Sequence, residues 1–242
     1  MLIKKIIKEA GGFFYYNLFN RFFGKSGNKT LIYHAFGMDL RHDTYGISIP
    51  INDFDNHMSF IKANYETVPL NQSSTTNLTI SITIDDGYED TMYAAEVLSK
   101  YNVPFTLFMT SDHINNKNFL SRDNLRELNN NKLCEVGSHG KTHSKLGSLS
   151  KSMQKSEILE SKKVLEDLLG TSITSFSLPH GSFDSFTFPI IFESGYERVA
   201  TSTKGFNSQK QKQIIKRSEI IKSDTTKSIN KKILGYYDFY QL

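Results

Sequence analysis

Apolar positions along the 242-residue chain fall into short β-branched or alternating runs, separated by stretches with helical spacing. The run from Thr30 to Tyr33 predicts a strand ending at His34. Leu78 to Ile84 predicts a buried strand that drives into Asp85, Asp86 and Gly87, where the glycine predicts a sharp turn. Between Pro104 and Thr110, Phe105, Leu107 and Met109 alternate with Thr106, Phe108 and Thr110. Leu133 to Ser138 is a strand ending at His139, and Ile173 to Leu178 ends at Pro179-His180-Gly181. Val199 to Ser202 and Ser218 to Ile221 complete the strands. Helical spacing covers 53–64, then Met92 to Tyr101 with Asn102 at its end, 123–131, 150–169 with Gly170 as its C′ residue, 188–194 and 225–234. Residues 35–50, 71–74 and the basic stretch 204–216 read as loops, and 25–28 as a linker. Strands alternating with helices imply a parallel sheet or barrel, and no internal repeat or clear second domain is visible.

Composition changes this picture at one place. Hydrophobic residues make up 38% and charged residues 22%, the balance of an ordinary globular protein, in a chain long enough for one sizeable core. The single cysteine, Cys134, excludes an intrachain disulfide and reads as core. The net charge of +4 resides in residues 1–28, where Lys4, Lys5, Lys8, Arg21 and Lys25 stand against Glu9. The remainder holds 24 basic and 24 acidic side chains, so nucleic acid is not an expected partner. That basic arm also carries Ile3, Ile6, Ile7 and Ala10 at helical spacing, then Phe13, Phe14, Tyr15, Tyr16, Leu18, Phe19, Phe22 and Phe23. It has neither the ~20-residue apolar run of a membrane span nor the layout of a secretory signal. Two readings of residues 1–24 stand side by side: a helix lying peripherally on an anionic membrane surface, or a helix covering one end of the core. Gly11-Gly12 argues against one long helix. The expected division is a basic aromatic arm over 1–28 and a catalytic domain over 29–242.

The strand ends carry the chemistry. His34, Asp85-Asp86, His139 and His180 each follow a predicted strand, and in barrels of parallel strands the C-terminal ends carry the active site. Two acids at the mouth of a buried strand are costly to desolvate without a metal or hydrogen bonds. His143 follows His139 at i+4, and a helical turn there would put both imidazoles on one face. Two imidazoles and a carboxylate are a common ligand set for catalytic zinc and its neighbours. Alone, His-x-x-x-His or Asp-Asp-Gly is weak, since surface histidines and ordinary turns give the same patterns. Both motifs falling just after predicted strands is the stronger signal.

In that order and spacing, Thr83-Ile84-Asp85-Asp86-Gly87, His139-Gly140-Lys141-Thr142-His143 and Phe176-Ser177-Leu178-Pro179-His180-Gly181 resemble the three motifs of the polysaccharide deacetylases. These form the NodB-homology, or carbohydrate esterase family 4, group, and the likeness covers roughly residues 30–222. It implies a distorted (β/α)7 barrel and metal-dependent removal of an N-acetyl or N-formyl group from a sugar. It makes Asp85 the general base and Asp86, His139 and His143 the ligands of one divalent metal. Zn2+ is the expected ion, with Co2+ or Ni2+ as alternatives. Pro179 and His180 belong to the oxyanion and pocket region, with the backbone N–H of His180 as donor.

The chain departs from the majority pattern in two ways. It has no histidine after His180, so the general acid falls to His34; this arrangement is similar to the circularly permuted poly-N-acetylglucosamine deacetylase branch. The arginine of the third motif is absent, since Ser177 or Leu178 stands there. Arg217, otherwise an ordinary surface arginine, and Asp224 are its candidate replacements for tuning the base. The expected substrate is an amino sugar of a surface polysaccharide or of a lipid-linked or nucleotide-linked precursor. The expected location is cytoplasmic, or peripheral on the inner membrane face. The competing reading is a barrel that keeps the site and only binds glycan. A glycosidase is disfavoured, because its carboxylates stand at least ~5 Å apart across the bond and these two are adjacent.

Overall fold

A computed structural model describes residues 10–20, 26–41, 43–70, 72, 74, 76–208 and 213–239. Among these described residues, nine strands are interspersed with six labelled helices. They run β1 (Gly27–Tyr33), α1 (Ile51–Asn64), β2 (Glu66–Thr67), β3 (Leu78–Ile84), α2 (Thr91–Lys100), β4 (Phe105–Met109), α3 (Arg122–Asn130) and β5 (Cys134–Ser138). Then come α4 (Lys151–Leu169), β6 (Ser175–Ser177), α5 (Thr187–Glu193), β7 (Arg198–Ala200), β8 (Ile214–Ile215), β9 (Arg217–Glu219) and α6 (Thr226–Ile233). All the ladders are parallel, in the order β8-β7-β6-β5-β4-β3-β1-β9, with β2 beside the first half of β3.

The two ends of that order are consecutive in the chain, because only Lys216 separates β8 from β9. Ile214 and Ile215 pair with β7, and Arg217 to Glu219 pair with β1. One segment therefore bonds both edges and closes the sheet into a barrel of seven staves, leaving no long free edge. The barrel is distorted where β5 meets β6 through a single pair, Ser138 and Phe176. This is the (β/α)7 architecture expected from the motifs.

The period-two side chains decide what each face meets. Leu31, Tyr33, Ile80, Ile82, Ile84, Phe105, Leu107 and Met109 join Phe54, Met58, Ile61, Leu98, Ile158 and Leu165 in one apolar layer between strands and helices. Full burial of each such side chain stabilises the fold by about 1.5–3 kcal/mol. The alternate positions turn inward, and most are polar. Asn28 bonds Ser81, Asn207 bonds Thr30, and Arg217 bonds Thr83 and Ser177 across the lumen. A hydrogen-bonded lumen is what lets charged groups sit inside the barrel.

The helix ends follow local chemistry. Ser150 caps α4 by accepting the Met153 N–H, and Gly170 closes it in the left-handed conformation at φ 67°. Three expectations change. Gly27 and Asn28 are the first residues of β1 rather than linker. The 204–216 loop contains β8, a two-residue piece too short to leave a periodic signature. Residues 10–15 are helical and continue into a π-helical turn, Tyr16–Asn20, whereas Ile3, Ile6, Ile7, Phe22 and Phe23 lie outside the described residues.

Candidate active site and metal centre

Asp85 directly follows β3, two residues after inward-facing Thr83, and its N–H bonds the Tyr33 carbonyl at 2.9 Å. Asp86 then adopts φ 72° and Gly87 φ 81°. A Cβ on Gly87 would stand 2.1 Å from Sδ of fully buried Met109, so the turn requires glycine. The two adjacent acids take different partners: Asp85 pairs with Arg217, and Asp86 lies against His139 and His143.

Arg217 faces Asp85 from the closing segment, and it is buried rather than on the surface. All five of its N–H donors are used. Nη1 reaches Asp85 Oδ1 at 2.7 Å and Thr83 Oγ1 at 3.1 Å. Nη2 reaches Asp85 Oδ2 at 2.8 Å and Ser177 Oγ at 2.7 Å, and Nε reaches the Thr201 carbonyl at 3.0 Å. Ser177 in turn donates to Asp85 Oδ2 at 3.0 Å. Burial works to raise the Asp85 carboxyl, but the Arg217 guanidinium, then His139, outweigh it and hold the group below the ordinary carboxylate value. Asp224, the other candidate beside the base, is not there: it receives Ser228 Oγ at 2.9 Å and pairs with Lys232 at the start of α6.

Asp86, His139 and His143 converge, with one ligand-type atom from each lying within 4.8 Å of the others. Asp86 Oδ1 is 3.3 Å from His139 Nε2 and 3.1 Å from His143 Nε2. The Ser177 carbonyl lies 2.9 Å from His139 Nδ1 and can only accept, so Nδ1 carries a proton and Nε2 is the atom turned toward Asp86, donating to it while His139 is protonated and offering a lone pair to a cation once that proton is lost. Such electron-rich atoms repel unless a proton or a cation lies among them. Zinc-ligand bonds of about 2.0–2.2 Å in a tetrahedral set separate ligand atoms by about 3.3 Å, so the spacing fits a divalent ion. Burial raises the Asp86 carboxyl, but hydrogen bonds from His139 and His143 outweigh this and hold it well below the ordinary value. Burial lowers His139, and Asp85 and Asp86 more than reverse that.

The pair of histidines is not on a helix. Residues 139–143 form an irregular turn in which Gly140 has φ 75° and His143 φ 63°. Glu157 shapes it: one carboxylate oxygen accepts the N–H groups of Lys141 at 3.0 Å and Thr142 at 2.9 Å, and the other accepts Thr142 Oγ1 at 2.7 Å. These bonds replace the helical ladder that the i+4 spacing suggested.

Asp85, Asp86, His139 and His143 line a cavity of about 890 Å³, together with His34, Tyr88, His113, Lys145, His180 and the rim residue Tyr45. His34 follows the C-terminal end of β1, and its loop is tied down by Asp90, which accepts the N–H of Phe36 at 2.6 Å and of Met38 at 3.1 Å. Tyr88 donates a hydrogen bond to Asp86, and its phenol is pushed far up, chiefly by burial. His180 has φ 56°, and its ring lies 4.4 Å from that of His143 in the cavity wall. Pro179, the residue before it, is buried. Sequence reasoning missed Glu157, Asp90 and His113. Tyr88 directly follows the Asp-Asp-Gly motif and offered a signal, whereas a glutamate in mid-helix offered none.

Residues 72–199 match the family model described as polysaccharide deacetylase. YxkH of Bacillus subtilis (strain 168), which carries a provisional assignment as a polysaccharide deacetylase, is 28% identical over 193 residues, covering 75% of this chain and 66% of that protein. The chain thus spans just under two thirds of that relative. A polysaccharide deacetylase from Bacillus cereus superposes with a TM-score of 0.77 at 22% identity, over 86% of this chain and 69% of that one. The Streptococcus pyogenes deacetylase PplD, in complex with acetate, gives 0.76 at 18%, over 86% and 99%. IcaB from Ammonifex degensii gives 0.74 at 18%, over 88% and 97%. These structures share the fold.

Proposed function

From the premise that this chain belongs to the polysaccharide deacetylase family, we propose that it hydrolyses the N-acetyl group of an amino sugar in a polysaccharide or its precursor. One observation carries this reading. A buried carboxylate fixed by arginine, Asp85, stands beside a separate ligand set, Asp86, His139 and His143, in a cavity that His34 also lines.

In this reading the two acids have different tasks. Asp85 accepts the proton of the water that attacks the amide carbon. Arg217 and Ser177 hold both carboxylate oxygens, so Asp85 stays ionised and aimed. A divalent metal held by Asp86, His139 and His143, with Zn2+ as the proposed ion, would polarise the acyl oxygen and lower the pKa of the water to suit a carboxylate of depressed basicity. The backbone N–H of His180 donates to the oxygen that gains negative charge. As the C–N bond breaks, His34 gives a proton to the departing nitrogen, and acetate and a free amine leave. Glu157 and Asp90 touch no reacting atom; they position His143 and His34 through the backbone.

The test pairs chemistry with binding. Wild type and Asp85→Asn are stripped, reloaded with Zn2+, Co2+ or Ni2+, and given N-acetylglucosamine oligomers. Acetate release by the wild type, reduced in Asp85→Asn by about 10²-fold or more with oligomer binding kept, supports the reading. Oligomer binding without acetate release from any reloaded wild type sinks it in favour of a glycan-binding barrel.

A further inference from the structure

Among the described residues, one side of the helical stretch 10–18 packs on the C-terminal segment. A Cβ on Gly12 would stand 2.7 Å from the Tyr236 carbonyl oxygen, so this glycine permits a close approach to the backbone. Tyr16 stacks on Tyr236 with ring centroids 4.4 Å apart, and Tyr15 lies 5.8 Å from Phe239. The other side carries Phe13, Phe14 and Leu18, which are 58%, 64% and 63% exposed. The two original readings of this arm are therefore compatible: one face covers the core's edge, and the opposite face is apolar and open.

Charge indicates what meets that face. Residues 1–28 carry five basic side chains and one acidic, and the remaining 214 residues balance at 24 of each. A second copy of the chain thus offers no net acidic complement. Exposed phenylalanines within a basic stretch, on a short helix anchored by its other face, have the composition of an interfacial helix: rings enter the headgroup boundary and lysines meet anionic lipid. Among the described residues no helix is long and apolar enough to cross a membrane.

We propose that the face formed by Phe13, Phe14 and Leu18 docks on an anionic lipid surface. It lies toward the end of the barrel opposite the cavity. Asp238, next to Phe239, bonds Lys29 in the first half of β1, whereas His34 follows that strand's C-terminal end. A docked molecule keeps its cavity open to the aqueous side. The inference stands on the arm alone and does not rest on the proposed reaction.

The test is vesicle co-sedimentation of the full chain, with no glycan present. Vesicles of equal parts phosphatidylcholine and phosphatidylglycerol are compared with pure phosphatidylcholine. The wild type is expected to partition at least about tenfold more strongly onto the anionic vesicles, less so as salt is added. Phe13→Ser/Phe14→Ser should lose at least about tenfold of that partition. Phe183→Ser/Phe186→Ser, which alters exposed aromatics elsewhere, should lose none. Thermal unfolding by circular dichroism verifies that both variants remain folded. Equal partition on the two vesicle types, no partition, or full partition by the Phe13/Phe14 variant overturns the proposal. A wild-type dimer that this variant converts to monomer also overturns it, by assigning the face to a second copy.

Discussion

Replacing Arg217 is the sharpest test of how this barrel keeps a charged acid in its interior. Arg217→Met keeps an apolar stem beside Phe108, whose ring lies 5.4 Å from the guanidinium carbon, and removes all five donors. Asp85 then retains the Ser177 hydroxyl but loses its counter-charge inside the lumen. Breaking a buried ion pair from one side costs about 3–5 kcal/mol. For a chain of this length, where 1 kcal/mol moves Tm by about 2–4 °C, the melting point should fall by roughly 6–20 °C. Asp85→Asn strands the arginine instead and should also destabilise. The double variant leaves neither member of this pair as an unpaired buried charge, so its loss should be smaller than the sum of the singles by about 2 kcal/mol or more.

The pH dependence separates this reasoning from a simple packing defect. In the wild type the Asp85 pKa lies below its unfolded value, so its stabilisation is present above about pH 3.9 and is lost as pH falls through the folded pKa. In Arg217→Met burial dominates and raises the folded pKa above the unfolded one. The variant's deficit should then be full near neutral pH and shrink as acidification protonates Asp85. Urea unfolding of all four proteins at pH 7 and pH 5 measures this. Additive single effects, within about 0.5 kcal/mol, together with a deficit that does not change with pH, would refute the account.

Two other predictions follow from groups outside the reacting set. Glu157→Ala removes the acceptors that turn residues 141–142, and should weaken metal affinity by about 10- to 100-fold in chelator competition while leaving Asp86, His139 and His143 intact; unchanged affinity would mean that the turn holds itself. Burial in the α1 layer lowers the pKa of His57, despite its bond to the Asp224 carbonyl, so the unfolded chain binds its proton first. Stability should be complete above about pH 6.5 and fall below it, and His57→Gln should flatten that part of a urea-midpoint profile; an equally steep variant would assign the slope to other groups.

What the sequence disclosed and what it hid divide along a physical line. Leu78–Ile84 declared itself because a strand packed under helices must be apolar at every second position, and the abrupt Asp-Asp-Gly that follows marks the strand's mouth. The histidine motif pointed to two side chains that the fold brings beside Asp86, but it suggested the wrong backbone: spacing of four fits a helix, whereas Gly140 and Glu157 support an irregular turn that aims both rings at Asp86. Arg217 was harder still. Its partner, Asp85, is 132 positions away, and the strand that carries it is three residues long, so no local period separates it from a surface arginine. Only closure of the barrel brings the last strand against the first, and closure is a property of the whole chain. The residues that hold charge inside this lumen are thus the ones a local pattern discloses least. An arginine on a barrel's closing strand, in a chain whose acidic motif lacks its usual counter-charge, is a signal to weigh beside the motifs themselves.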